Sequence, residues 1–516
     1  MHSPFNAPHT VDTLLRVVQA RDAEVVLLRL TIDKLTLQLL RARRAQFGCS
    51  SEQLDDAQLS LVEGELLDEH PARETPAKVL VAEAQRVDRQ LPKHLPRETL
   101  THQPSQTMGC GCTACGGRLR EIGRDVSEQL EYVPARFKVV RHIRPKLACV
   151  SCQTIFQAPA PSRPIQRGLA GAGLLAHVLV AKYCDHLPLY RQSVIYAREG
   201  VQLERSTMAD WVGQTSALLA PLVARLGRYT LDAAKVHADD TPVAVLDPGR
   251  GKTKTARLWV YVRDDRPAGN SDAPAAWFQY SPDRRGKWPR RHLDKFAGIL
   301  QADGYAGYNQ LYEQGRIHEA ACWAHARRKF FDLYVAQGKP AGSVTEEALQ
   351  RIAALYRIEA DIRGSPPEER RRQRQARAAP LLDELHAWLT ATLSRLSAKS
   401  DLAKAIGYSL TRWQALLCYC DDGRIEIDNN AAERALRGVA LGRKNYLFQG
   451  SDAGGERAAA IYSLVETAKL NGMDPEAYLR EVIGRIAEHP INRIEELLPW
   501  NVAQQWRDQE HERLAA

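Results

Sequence analysis

Apolar positions recur seven apart through residues 11–42. Val11, Val18, Val25, Ile32 and Leu39 form one row, and Leu14, Arg21, Leu28, Leu35 and Ala42 follow each member by three. β-Branched residues in the first row and mostly Leu in the second favour a parallel two-stranded coiled coil, with the polar Arg21 setting register at some cost in stability. The same stripe suits an amphipathic helix packed on its own protein. The chain to about Lys93 is then acidic and helix-prone, with Asp55, Asp56, Glu63, Glu65, Asp68 and Glu69. Prolines at 92, 96 and 104 break the pattern, which predicts a linker or a basic arm over 91–104.

Alternation and β-formers predict a strand pair at 129–133 and 137–143. A small-residue apolar helix is expected over 168–183, a second helix over 188–198 ending at Gly200, and a third capped by Ser206 and running through Trp211. Strands follow at 236–246, 257–262, 277–280 and from Gly298 to Ala302, and a fifth at 318–323 leads into a helix at 325–331. Residues 344–420 read as helices at 345–362, 380–396 and 402–419, and 455–487 are helical again. The Gly251-Lys-Thr253 turn is no phosphate loop, because Leu246 stands where the first Gly belongs and a strand follows.

A chain of 516 residues exceeds one core, so several domains are expected. It has no apolar run of about 18 residues and no basic-then-apolar leader, so a cytoplasmic protein with no membrane partner is expected. Lys and Arg outnumber Asp and Glu, 71 to 62, which suits a polyanionic partner and equally a merely basic enzyme.

Ten cysteines in such a chain point to metal or burial rather than disulfides. Cys112/Cys115 and Cys149/Cys152 are two C-x-x-C knuckles, which fit a tetrahedral structural Zn²⁺, and Cys110 is a fifth, alternative ligand. Arg136, Lys138, Arg141, Arg144 and Lys146 would line the ribbon between them and suit phosphate contacts. Helix, Gly-containing turn, helix over 188–211 is the layout of a helix-turn-helix, although any helical hairpin looks similar. In it Arg205, Ser206, Thr207 and Asp210 would face bases or phosphates.

Three acidic stretches carry the candidate chemistry. Asp239 and Asp240 interrupt an apolar strand, and alternation lets only one of them face a given site. Asp303 ends another strand just before a Gly turn. Glu433 lies on a helix that Asp428 or Asn429 can cap, with Asn429, Glu433 and Arg437 on one face. A strand-end acid in solvent, or a Glu433–Arg437 pair on a solvated face, is the bland alternative. The chemical one is phosphodiester cleavage, in which two Mg²⁺ ions about 3.5–4 Å apart are bridged by a few carboxylates. Cys322 and His325 are one turn apart, either a metal pair or a histidine near the pocket. Arg370–Arg374 with Arg377 is a basic run that either contacts DNA or starts a solvated helix.

With these residues in hand, the chain resembles a bacterial DDE transposase of insertion-sequence family sixty-six. The resemblance covers nearly the full length. It rests on Phe47 through Glu52, the cysteine knuckles, the helix-turn-helix, His237-Ala-Asp-Asp-Thr-Pro242, Asp303-Gly-Tyr-Ala-Gly-Tyr308, Cys322-Trp-Ala-His-Ala-Arg-Arg-Lys329, Asp428-Asn-Asn-Ala-Ala-Glu-Arg434 and the tail from Pro490 to Trp500. It implies a ribonuclease-H-like catalytic fold, two Mg²⁺ ions and a triad of Asp239, Asp303 and Glu433. The family usually has Asp-Glu where this chain has Asp239-Asp240. Transposases of this type often carry a basic residue two turns after the Glu. Position 440 is Ala here, so Arg437, Arg443 or Lys444 would serve. Arg434 shares that polar face, and Tyr446 would either stack on an unpaired base or sit in the core.

The expected class is therefore multidomain α+β. A coiled-coil dimerisation helix occupies 1–48, an acidic helical linker 49–108, a zinc-ribbon-like module 109–165 and a helix-turn-helix region 166–230. The catalytic domain fills 231–343 and 421–487 around a helical insertion at 344–420, and a tail spans 488–516. Expected partners are transposon terminal inverted repeats and target DNA, a homodimer or higher oligomer, and companion proteins of the same element. The other reading is a DNA-binding regulator or inert relic that keeps the reading modules.

Overall fold

The structure, a computed structural model, describes residues 91, 93, 95–102, 119–133, 136–249, 251–339 and 341–515. The expected coiled coil and the first cysteine knuckle (Cys110, Cys112 and Cys115) lie outside the described residues.

The first sheet is built on a long ribbon. Strands β2 (Leu119–Val133) and β3 (Arg136–Cys149) run antiparallel with Leu130 opposite Val139. Strand β1 (Arg97–Thr101) adds in parallel to the other edge of β3, and β4 (Ile155–Gln157) pairs with the end of β3. The linker expected over 91–104 is thus partly an edge strand. Prolines 92, 96 and 104 bracket Thr99, Leu100 and Thr101 rather than interrupt them, and prolines flanking an edge strand cost no ladder bond. The basic row of the ribbon is largely answered from within. Lys138 pairs with Glu98, Arg141 with Glu128 and Lys146 with Asp125, each at 2.8 Å, and Arg144 donates to the carbonyl of Ala158.

Three helices follow, α1 (Ala172–Tyr183), α2 (Leu189–Arg198) and α3 (Arg205–Leu231). Helix α1 is apolar on nearly every side and is buried, as such a helix must be. Gly200 turns the chain between α2 and α3 with φ of 78°. Helix α3 departs from expectation. Glu204, not Ser206, takes the N-cap position, and the helix runs 27 residues instead of stopping near Trp211. The reason is its apolar row. Met208, Trp211, Thr215, Leu219, Leu222 and Leu226 continue at helical spacing and bury themselves in the core shared with the second sheet. Contact is close at Gly227, where any Cβ would strike the Trp277 indole.

The second sheet has the order β7-β6-β5-β8-β9, comprising β5 (Lys235–Asp247), β6 (Lys252–Arg263), β7 (Ala275–Ser281), β8 (Gly298–Ala302) and β9 (Ile317–Ala320). The first three strands form an antiparallel meander, and β8 and β9 run parallel to β5. Short helices α4 (Lys287–His292) and α5 (Asn309–Tyr312) lie in the crossovers. Alternation sorts the two faces. Val236 and Ala238 join Trp259, Tyr261, Leu293 and Tyr308 on one side, whereas Val243 and Val245 join Leu258, Val260 and the large helical core on the other.

Helix α6 (Trp323–Ala336) leads into the insertion: α7 (Val344–Asp361), α8 (Pro367–Gln373), a π-helical turn at Arg374–Ala378, α9 (Ala379–Leu393), α10 (Asp401–Thr411) and α11 (Trp413–Asp421). It has its own core, centred on Trp323, Ile352, Leu385, Ile406 and Trp413. The basic run expected to meet DNA or solvent divides: Arg371, Arg372 and Arg377 form exposed pairs with Glu368, Glu369 and Asp361, as on a solvated helix, whereas Arg370 and Arg374 supply buried ion pairs. Arg370 and Arg374 are 1% and 0% exposed, and both guanidiniums meet Glu359, at 3.5 and 2.6 Å. Arg370 also pairs with Glu426 at 2.9 Å and donates to Gly423, and Arg374 donates to Tyr419. Two arginines of a stretch that looks hydrophilic in sequence therefore pin the insertion to the segment leading out of it, at Tyr419, Gly423 and Glu426.

The chain returns as α12 (Asn430–Gly442), α13 (Asp452–Leu470), α14 (Pro475–Arg485) and α15 (Pro499–Ala515). Helix α13 covers the open edge of β7. The hydroxyls of Ser463 and Thr467 accept from the Phe278 and Ala276 amides at 2.8 and 3.1 Å, satisfying donors that an open edge would expose. No helix among the described residues is long and apolar enough to cross a membrane.

Candidate active site

Strand register places two acids side by side. Strands β5 and β8 are parallel, with Ala238 opposite Ala302. Asp239 and Asp303 are the next residue on each, at the edge where β8 has just ended. Asp239 points to the face that carries the large helical core, because it shares the parity of Val243 and Val245. Asp240 points the other way. Its carboxylate lies 2.9 Å from Arg284 and 3.3 Å from Arg257, and its side chain is 1% exposed. Asp239 keeps one internal contact, accepting the Asp240 amide at 2.7 Å.

Glu433 reaches the same place from α12. The helix start is fastened to β5 through Asn429, which is fully buried. Its side-chain amide donates to the Ala238 carbonyl at 2.9 Å, and its Oδ1 lies 3.1 Å from His237 Nδ1. The Asn429 backbone amide donates to Cys322 Sγ at 3.2 Å, so α6 is held at the same point. Asn429 is the N-cap residue but uses its side chain across the fold rather than on its own helix. Glu433 lies one turn on, and its amide donates to the Asn429 carbonyl.

The electrostatics reflect the crowding. Burial holds the Asp239 acid well above its ordinary range, and the neighbouring charges of Asp303, Glu433 and Asp240 push it further. Glu433 is pushed up to about 7 by burial, then by Asp428, with Asp303 adding to the repulsion and Arg328 opposing it. Burial also raises Asp303, against the pull of Arg284, whose guanidinium is 3.6 Å away. Burial raises Asp428 to about 6. A cluster of carboxylates that repel one another in a partly dry site, offering only oxygen atoms, fits hard divalent cations. Gly304 keeps the rim open to Arg412, which donates to the Gly304 carbonyl at 2.8 Å. A side chain at 304 would collide with that guanidinium.

Other residues singled out in the sequence fall as follows. Arg205, Ser206 and Thr207 are all exposed on the first turn of α3. Arg434 and Lys444 are exposed, Arg437 is half-buried, and Arg443 donates to the Pro242 carbonyl at 2.6 Å. Tyr446 takes the core alternative. Its hydroxyl is 2.8 Å from that of Tyr462, and Lys182 stands 4.4 Å over its ring. The next two residues, Leu447 and Phe448, are the exposed apolar ones, at 74% and 46%. Cys149 is buried and Cys152 exposed at a tight turn after β3, where the Cys152 amide donates to Cys149 Sγ. His325 Nδ1 lies 3.7 Å from Glu433 Oε1. Sequence reasoning gave no role to Arg284 or Arg257, since nothing in their local spacing signals that they answer Asp240. His237 and Asn429 stood inside quoted motifs, but their tie spans 192 residues and has no local trace.

Residues 167–457 match the model of the Transposase IS66 family. The chain belongs to that family. Residues 463–500 match the IS66 C-terminal element, and 110–153 match the zinc-finger binding domain of transposase IS66, a span that contains Cys110, Cys112, Cys115, Cys149 and Cys152. Residues 34–100 match a model described as Transposase C of IS166 homeodomain. Two relatives from Sinorhizobium fredii are similar along nearly all of this IS66 chain. The uncharacterized protein y4hP is 40% identical over 494 residues, 92% of this chain and 88% of the relative. The uncharacterized protein y4jD is 39% identical over 503 residues, 96% of each. Family membership supports a transposase role with DNA-binding elements and a structural Zn²⁺.

Proposed function

We propose that this IS66 chain is a DDE-type DNA transposase with a ribonuclease-H-like catalytic domain. It binds transposon ends and catalyses Mg²⁺-dependent strand cleavage and strand transfer. The observation that carries the reading is the convergence of Asp239, Asp303 and Glu433 from two parallel strands and a helix 130 residues beyond the second acid in sequence, counting from 303 to 433. A five-stranded sheet with a three-stranded meander and two added parallel strands supports the fold assignment.

In this reading Asp239, Asp303 and Glu433 hold the two Mg²⁺ ions. When bound, the ions supply an activated oxygen nucleophile and neutralise charge on the leaving oxygen. The protein's part is positioning. Asn429 and His237 hold the Glu433 helix against β5, and Arg257 and Arg284 pair with Asp240 on the opposite face, which offsets its charge. In cleavage a water oxygen bonds to phosphorus and loses its protons while the 3′ oxygen departs and takes one up. In transfer that 3′ hydroxyl replaces the water. Arg205, Ser206 and Thr207 read or grip the duplex, and Arg434, Arg437, Arg443 and Lys444 contact strands at the site. Cys112, Cys115, Cys149 and Cys152 hold Zn²⁺ for folding, and residues 11–42 pair two copies.

The test is a strand-transfer assay on oligonucleotide ends with Mg²⁺. Asp239→Asn, Asp303→Asn and Glu433→Gln should each abolish cleavage and leave end binding intact. Near-normal cleavage by any one removes that residue from the triad. End binding by the wild-type chain without cleavage would favour the regulator or relic reading.

A further inference from the structure

We propose that Cys322, His325 and Glu433 form a second cation site, selective for thiophilic divalent ions such as Zn²⁺ and Co²⁺. We further propose that filling it withholds the Glu433 carboxylate from the hard-ion site beside Asp239 and Asp303.

The three donors already stand together. Cys322 Sγ, a ring nitrogen of His325 and a carboxylate oxygen of Glu433 all lie within 4.8 Å of one another, and His325 Nδ1 is 3.7 Å from Glu433 Oε1. A tetrahedral Zn²⁺ with bonds of about 2.0–2.3 Å needs donors roughly 3.3–3.7 Å apart, so small side-chain rotations close the set. The scaffold is rigid. Cys322 is the N-cap residue of α6, His325 is one turn further along the same helix, and the Asn429 amide ties Cys322 to the start of the Glu433 helix.

Burial and the carboxylates of Glu433 and Asp428 hold the Cys322 thiol well above its ordinary range, so a metal ion has to displace its proton. The sulfur sits at the N-cap of α6, where the Asn429 amide donates to it at 3.2 Å and the His325 amide also favours its charged form. Backbone N–H groups aimed at a buried sulfur are the outer-sphere pattern that supports a metal-bound thiolate. Cys322 is 1% exposed, whereas the His325 side chain is 20% exposed and gives ions a way in. Sulfur and imidazole discriminate against Mg²⁺, which prefers oxygen. Three protein ligands leave the fourth position to water. Glu433 is the member shared with the proposed hard-ion site, so a soft ion bound here competes for its oxygens. That regulatory consequence rests on the proposed function, whereas metal binding does not.

The experiment uses the full-length protein with its zinc finger loaded with Zn²⁺, and adds Co²⁺ alone. One further equivalent should bind with a thiolate-to-cobalt charge-transfer band, and both Cys322→Ser and His325→Gln should weaken it. The loss should exceed the roughly 10–100-fold that outer-sphere partners cost. Because Cys322 is buried, His325→Gln keeps the test valid if the serine variant does not fold. No band, or a band that survives both substitutions, overturns the site. Added Zn²⁺ should then inhibit cleavage at fixed Mg²⁺, excess Mg²⁺ should relieve it because the two ions compete for Glu433, and His325→Gln should weaken the inhibition. Inhibition that His325→Gln leaves unchanged overturns the regulatory half. Full cleavage by Glu433→Gln, with the cobalt band present in the wild type, would instead remove the triad assignment.

Discussion

The side chain of Asn429 bonds to the carbonyl of Ala238 at 2.9 Å, one residue before Asp239 and one turn before Glu433. This short bridge sets how far the third acid stands from the first. Asn429→Ala should leave His237 and the Ala238 carbonyl without these partners in a fully buried place. The expected loss is about 1–3 kcal/mol of stability per stranded group, read by urea unfolding. Cleavage should fall by more than about tenfold, because misplacement near 1 Å costs more than that. A stable, fully active Asn429→Ala would mean that Ala432, Leu436 and Val439 alone locate the helix.

The buried arginines of the insertion make a different prediction. Glu359 meets both Arg370 and Arg374, and all three are largely out of water. Removing one member strands the other charges, which costs about 3–5 kcal/mol. Arg374→Ala should therefore lower thermal stability sharply. Arg371→Ala and Arg372→Ala, whose pairs with Glu368 and Glu369 are exposed and screened by water, should leave it almost unchanged. Equal effects from all three would mean that the run acts by bulk charge.

That contrast shows what the sequence could and could not convey. Strand and helix periods were legible wherever one face is apolar, as in β5, β6 and α9, and the split of Asp239 from Asp240 follows from alternation alone. The extent of α3 was missed because Ser206 looks like a cap, although the apolar row runs on past it. The edge strand at Arg97–Thr101 was missed because its prolines read as breaks. Within the arginine run the solvated reading holds for Arg371, Arg372 and Arg377, but the burial of Arg370 and Arg374 was missed because charge in a sequence does not reveal a carboxylate waiting across the fold, as Glu359 does. The ties of Asn429 to β5 and of Arg284 to Asp240 have no local period and became visible only with the chain folded.

Crowded acids should show in the pH dependence of the metal-free protein. A carboxyl whose folded pKa is raised stabilises the fold while protonated. That contribution is complete below the unfolded pKa, about 4, and is lost as pH rises through the folded value. For Glu433 the upper limit is about 7, so the window runs from about 4 to 7. The loss is on the order of 3 kcal/mol. Buried neutral histidines such as His237 and His292, whose pKa values are lowered, act in the opposite sense below about 6.5. The comparison is therefore between wild type and Glu433→Gln, which share them. The glutamine variant should gain stability relative to wild type as pH rises from 5 to 8 in chelator, and Mg²⁺ should narrow the gap by stabilising wild type. Parallel unfolding curves at all pH values would mean that Glu433 ionises without strain.

The exposed first turn of α3 should matter for binding and not for folding. Arg205, Ser206 and Thr207 face solvent, and the helix N-terminus adds partial positive charge, a combination suited to a phosphate or a base edge. Met208 and Trp211, just behind them, are buried and hold the turn in place. Arg205→Ala should leave thermal unfolding within about 0.5 kcal/mol of wild type. Binding to an end-containing duplex should weaken, and the log–log salt slope should fall by about 1 if Arg205 meets a phosphate. If it meets a base edge, the slope should hold and discrimination against a mutated end should drop by about 1–3 kcal/mol. Unchanged affinity and unchanged slope would place the DNA elsewhere, leaving α3 as the cover of the sheet that its buried Leu219, Leu222 and Leu226 already make it.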